Sequence, residues 1–150
     1  MFVTFIASLL VWVMISGLAV LWLVDGKINK EQALHAFFAA LVAWAICEMV
    51  KTIYPTVRPF VVEGIMPATI TVPLDSAFPS AHTAISFAIA VTIFLHEKKL
   101  GALFLFAAFF VGVGRILANV HYPLDVIGGA VIGATTSLVS EKLHLFSLTK

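Results

Sequence analysis

The chain has 150 residues, enough for one domain, and is 61% hydrophobic but only 11% charged, against roughly 25% charged for a soluble domain. A soluble chain this short cannot bury so much apolar surface, so lipid must solvate part of it, and the class is an integral membrane protein. A net charge of +1 without a clustered basic face excludes a nucleic-acid partner, and the single Cys47 excludes an internal disulfide and any cysteine-based zinc cluster.

Residues 1–24 carry no charge and are long enough to cross ~30 Å of hydrocarbon, and they lack the basic start and small-residue cleavage site of a signal peptide. They are expected to form a retained first transmembrane helix. A short polar turn, Asp25-Gly-Lys-Ile-Asn-Lys30, leads to a second helix over 31–50, interrupted only by His35 and Glu48. Cys47 lies in this helix as a small packing residue. Residues 51–79 form the longest connection, broken by Pro55, Pro59, Pro67, Pro73 and Pro79. This stretch is too apolar for a free linker and is expected to lie on the membrane surface as a cap. A third helix is predicted over 80–95, a fourth over 100–117 and a fifth over 123–140, each near the short limit of ~17 residues for a span. Gly129 and Gly133 give the fifth helix a small-xxx-small face, which predicts close helix contact inside the bundle ahead of a dimer interface.

The expected architecture is therefore all-α, a polytopic bundle of about five spans forming one domain over 1–150. Alternating the spans sorts the polar residues. Lys51, Arg58, Ser80, His82, Arg115, His121 and Asp125 fall at one end, and Lys27, Lys30, Lys98, Lys99, Lys142 and Lys150 at the other. The positive-inside rule makes the lysine-rich end cytoplasmic, placing the N-terminus outside and the C-terminus inside, with Tyr54 and Tyr122 at the outer interface and Trp22 near the inner one. The localisation that follows is the cytoplasmic (inner) membrane, multi-pass, with the polar cluster on the extracytoplasmic side.

The cluster joins three cations, two histidines and a carboxylate. Two His and one Asp could ligate a metal, but Lys51, Arg58 and Arg115 would repel a divalent cation, whereas they suit a polyanion such as phosphate. No metal and no cofactor are expected. Pro79-Ser-Ala-His82 opens the third helix, where free backbone N–H groups and the positive helix end make an anion site. Pro123 disfavours a helical conformation at Tyr122, so His121 is expected on the loop before the fifth helix, with Asp125 in that helix's first turn and within reach of the imidazole. Such a pairing fixes the tautomer and frees the other nitrogen to attack. Arg115 and His121 are six positions apart, about 240° around a continuous helix, so a break must separate them; Gly112 and Gly114 are expected to loosen the helix before Arg115. Glu48, three residues before Lys51, could pair with it. His35, His96 and His144 are expected only to flank the cytoplasmic half, while Glu63 and Asp75 sit in the long loop with lid or substrate roles open.

These residues resemble the three signatures of the type 2 phosphatidic acid phosphatase superfamily. Lys51-Thr-Ile-Tyr-Pro-Thr-Val-Arg58-Pro59 resembles the first, Pro79-Ser-Ala-His82 the second (usually Pro-Ser-Gly-His), and Gly114-Arg115 through His121 to Asp125 the third, where Ser-Arg is the common opening. The match covers about residues 51–133. Ala81 adds a methyl beside the phosphate amides, Gly114 removes one possible hydrogen bond, and five spans stand where family members often have six. The resemblance implies a metal-independent lipid phosphatase. His121 would form a phosphohistidine oriented by Asp125, and His82 would serve as acid and then base. Lys51, Arg58, Ser80, Ala81 and Arg115 would hold the phosphoryl oxygens. It implies a lipid phosphate or diphosphate substrate in the bilayer, first undecaprenyl diphosphate, with phosphatidylglycerophosphate or phosphatidate as alternatives. No obligate protein partner is inferred. From another class, a non-catalytic transporter or scaffold with a polar vestibule would release no phosphate.

Overall fold

The computed structural model describes residues 1–24, 28 and 30–143; the expectations for Lys27, His144 and Lys150 lie outside the described residues. Every regular element among the described residues is a helix, without strands. Helix α1 spans Phe2–Val24, with a wide π turn at Phe5–Leu9, and α2 spans Lys30–Ile53. A short α3, Pro59–Glu63, lies within the long connection, and α4 (Ala81–His96), α5 (Lys98–Leu117) and α6 (Pro123–Leu143) follow. Four of these, α1, α2, α5 and α6, are long and apolar enough to cross a membrane, and α4 is a shorter apolar helix of 16 residues. The chain is thus a multi-pass membrane protein.

Two of the expected short helices are longer than the sequence reading allowed. Helix α5 runs for 20 residues and α6 for 21. The cause at α5 is local: Glu97 alone separates it from α4, and its carboxylate accepts from the Leu100 amide as an N-cap. Gly101 permits this hairpin, since a Cβ there would lie 2.1 Å from the Phe94 Cα.

Helix α4 sits at the centre, packed against α2, α5 and α6, while α1 lies against α2 and α5. The α2–α4 contact is built from small side chains: Ala33, Ala36, Ala39, Ala40, Ala43 and Cys47 meet Ala81, Ala84 and Ala88. In lipid, where apolar side chains gain little by leaving the solvent, backbones that approach closely gain most from dispersion and packing. Cys47 is fully buried there, the packing residue expected. Gly129 and Gly133 serve α4 in the same way. A Cβ on Gly129 would lie 2.4 Å from the Ser80 carbonyl oxygen, and one on Gly133 2.2 Å from that of Ala84. The small-residue face of α6 is therefore an internal helix contact. Deeper in the same seam, Thr92 and Ser137 share a buried hydrogen bond of 2.8 Å.

Gly112 and Gly114 do not loosen α5, which continues as helix to Leu117. They are approach points: a Cβ at 112 would meet Val126 Cγ1 at 2.7 Å, and one at 114 would meet Ile6 Cγ1 at 2.7 Å and the Ala7 amide at 2.8 Å. The break comes later. Helix α5 ends at Leu117, and Asn119 takes a left-handed conformation (φ 61°), one of the few non-glycine residues that does so readily. The long connection is strapped onto this turn, because Phe60 N donates to Asn119 O and Ala68 N to Ala118 O, both at 3.1 Å. Asn119 Nδ2 also donates to Glu63 Oε2 at 2.7 Å, which gives Glu63 a place on the exposed strap.

Candidate active site

Two chain reversals bring the polar residues together. At the first, Ser80 is the N-cap of α4, and its amide donates to the Asp125 carbonyl oxygen at 3.0 Å, tying the start of α4 to the start of α6. At the second, the turn after α5 returns His121 over Arg115, six residues earlier. A cavity of about 300 Å³ results, with Lys51, Arg58, Asp75, His82, Arg115 and His121 on its polar wall. Trp12 and Trp44, both exposed on the outside of the bundle, border it where α1 meets α2, and Ala81 at the first turn of α4 also lines it.

His121 is the geometric centre. Its Nε2 lies 3.3 Å from Arg58 Nη1 and 3.4 Å from Arg115 Nη2. A guanidinium can only donate, so Nε2 carries the lone pair and the ring proton sits on Nδ1. Nδ1 faces Asp125 Oδ2 at 3.5 Å, a loose contact rather than a formed hydrogen bond, because that oxygen also accepts the Tyr122 amide at 2.8 Å. The imidazole is 2% exposed. Burial pushes its pKa down to about 4; the Arg115 and Arg58 charges act in the same direction and the Asp125 carboxylate opposes them. His121 is therefore neutral at pH 7, with its Nε2 electron pair directed between two cations that donate to it.

The cations are held differently. Arg115 Nη1 donates to the Ala7 carbonyl oxygen of α1 at 3.0 Å, while its buried Nε has no partner among the described residues. Lys51 Nζ pairs with Glu48 at 3.0 Å, as the spacing suggested, and also with Asp75. Arg58 Nη2 meets Asp75 Oδ1 at 2.9 Å. Burial would raise the Asp75 carboxyl, but its bonds to Lys51 and the charges of Lys51 and Arg58 outweigh that and hold it below the usual carboxylate range.

His82 borders the same cavity, and no hydrogen bond fixes its ring among the described residues. Ser80 is placed differently from expectation. It is fully buried, its Oγ accepts from Thr83 Oγ1 at 3.0 Å, and it does not line the cavity; the wall there is Ala81. Glu48 joins the wall beside Lys51, whereas His96 pairs with Glu141 (2.9 Å) at the far end of the bundle. Asp75, Trp12 and Trp44 were not assigned from the sequence. The one signal for Asp75 was a carboxylate in an apolar, proline-bounded loop five residues before Ser80. Among the described residues no three His, Cys, Asp or Glu side chains are grouped as metal ligands.

A family model described as the PAP2 superfamily matches residues 32–147. The chain belongs to the PAP2 superfamily. Among its relatives, the bacitracin transport permease protein BcrC of Bacillus licheniformis is 36% identical over 136 residues, covering 91% of this chain and 67% of that protein. The undecaprenyl-diphosphatase BcrC of Bacillus subtilis (strain 168) is 28% identical over 115 residues, covering 77% of this chain and only 59% of its own length. The crystal structure of Aquifex aeolicus LpxE superposes with a TM-score of 0.74 at 31% identity, covering 87% of this chain and 77% of that one.

Proposed function

We propose that this PAP2 protein is a lipid phosphatase that works through a phosphohistidine, with undecaprenyl diphosphate as its first-choice substrate. The observation that carries the reading is the placement of His121 Nε2 between two guanidiniums, on a cavity bordered by the exposed tryptophans of α1 and α2. The tail of a membrane lipid can stay in the bilayer beside Trp12 and Trp44 while its phosphate reaches the polar wall. The relative named undecaprenyl-diphosphatase supports the choice of lipid.

In the first step Nε2 of His121 bonds to phosphorus as the phosphorus–oxygen bond to the leaving group breaks, and His82 gives that oxygen a proton. For a diphosphate the leaving group is the lipid monophosphate. In the second step His82 takes a proton from water, the water oxygen bonds to phosphorus, and the N–P bond breaks to release inorganic phosphate. Arg115, Arg58, Lys51 and the amides at Ala81 and His82 hold the phosphoryl oxygens, so that charge is balanced without a metal. Asp125 faces the imidazole proton, and Ser80 anchors the first turn of α4 to α6. The end of the bundle that carries Lys30, Lys98, Lys99 and Lys142 is cytoplasmic on this reading, so the site faces outward in the cytoplasmic membrane.

The deciding experiment is phosphate release by the purified protein in detergent from undecaprenyl diphosphate, phosphatidylglycerophosphate and phosphatidate. Release from the first in preference to the others, with competitive inhibition by orthovanadate, is the expected result. Release from none of them favours the non-catalytic reading that one relative's transport permease name suggests. The pH profile gives a second check. The neutral imidazole is the nucleophile and its pKa lies at about 4, so protonation of His121 should cause no loss of kcat/KM as pH falls through the ordinary histidine range near ~6.5, and a loss only near pH 4. An acid limb at pH 6–7 beyond the substrate's own phosphate ionisation near ~6 would contradict the assignment of His121.

A further inference from the structure

Arg58 has no donor to spare. Its Nε donates to Asp75 O at 2.8 Å, Nη1 to Val120 O at 2.8 Å and to His121 Nε2 at 3.3 Å, and Nη2 to Asp75 Oδ1 at 2.9 Å and to Ser76 O at 3.1 Å. A guanidinium carries five N–H groups, and these contacts use all of them. Lys51 is likewise engaged by Glu48 and Asp75. Arg115 stands apart, with an Nε that has no partner among the described residues. A phosphoryl group entering the cavity therefore finds donors left on Arg115 and a single N–H left on Lys51, none on Arg58, and a carboxylate already held by both Lys51 and Arg58.

A phosphoryl oxygen can reach Arg58 only in exchange for one of the present acceptors. Three of those are backbone carbonyls and one is the buried imidazole. The fifth, Asp75 Oδ1, sits on a rotatable side chain that is 44% exposed. Asp75 also stands at a partition. A second, outer recess of about 470 Å³ shares Lys51, Arg58, Pro73 and Asp75 with the inner cavity, and its outer wall includes Thr56, Leu74 and Ser76. The carboxylate thus has space on the side away from His121.

We propose that Asp75 is an internal anion that occupies the phosphoryl seat on Lys51 and Arg58 and is exchanged for the substrate's phosphoryl group, turning into the outer recess as the substrate binds. This rests on the anion-site reading above but not on which lipid is hydrolysed. A phosphoryl group with two negative charges and three free oxygens outcompetes a single carboxylate for a guanidinium and an ammonium. After hydrolysis the returning carboxylate competes with inorganic phosphate for the same donors. The seat is never left as bare, mutually repelling cations, and the product is not held as tightly as three unneutralised cations would hold it.

The test is direct binding of orthovanadate to the purified protein in detergent at fixed ionic strength, comparing wild type, Asp75→Asn and Asp75→Glu. Asparagine keeps the shape and removes the charge, so D75N is expected to bind vanadate about tenfold more tightly, the scale of one charge-assisted contact. D75E keeps the charge and is expected to stay near wild type. Unchanged or weaker binding by D75N would overturn the proposal and make Asp75 a positioning residue for Lys51 and Arg58. If wild type and D75N both fail to bind vanadate, the anion-site reading falls and the proposal with it. Hydrogen exchange on the wild-type protein needs no variant: peptides covering 73–77 should exchange faster when vanadate binds, and protection or no change there would also overturn the idea.

Discussion

Replacing His121 with alanine is expected to lower phosphate release by roughly four orders of magnitude or more, because the chemistry then has no nucleophile to carry the phosphoryl group between two partners. The imidazole is also the shared acceptor for Arg58 Nη1 and Arg115 Nη2. Removing it leaves two buried guanidiniums facing one another across a gap, so the variant should be checked for folding by thermal melting in detergent. Vanadate binding separates the two effects: a folded H121A with intact cations still takes up the anion but turns nothing over. Rapid-quench trapping with a ³²P-labelled substrate should find acid-labile label on the wild-type protein and none on H121A. Release that survives in H121A at a few per cent of wild type would rule out the phosphohistidine.

The second large effect is expected far from the site. A leucine at Gly133 would place its Cβ 2.2 Å from Ala84 O and 2.9 Å from Ala88 N. Both are backbone atoms of α4 and cannot swing aside as a side-chain end could. Helix α6 must then lift off α4, at a cost of about 3 kcal/mol, the upper end of the scale of overpacked cores, because the clash is with backbone. Because α4 carries His82 and the Ala81 amides while α6 carries Asp125, separation of the two helices should remove activity along with the melting transition. A G133L protein that melts like wild type and keeps its turnover would show that the seam is looser than its geometry.

Much of this was written in the sequence. Hydrophobic run lengths gave the helices, and the alternation of spans brought Lys51, Arg58, His82, Arg115, His121 and Asp125 to one end because a membrane leaves few ways to fold five apolar segments. The Glu48–Lys51 pair followed from helical spacing. What the sequence hid depends on contacts without a period. Asp75 reaches Lys51 and Arg58 across 24 and 17 residues of a proline-broken loop, where neither helix nor strand geometry constrains the partner. Ser80 reads as a phosphate donor by its motif, yet its side chain is fully buried off the cavity wall, where its oxygen accepts from Thr83 in the first turn of its own helix. Gly112 and Gly114 read as flexibility in one dimension and act as contact points in three, because what a missing Cβ admits is another segment, and the chain does not say which.

The contact at Gly114 governs how the first helix can vary. Arg115 is steadied by the Ala7 carbonyl oxygen, a main-chain atom, and Gly114 lets α1 come close enough to offer it. No point substitution in α1 can delete that acceptor. The helix can exchange its lipid-facing residues freely and still brace the arginine, provided it stays helical and keeps a small side chain at position 7. The brace belongs to the path of the chain rather than to any one of its letters.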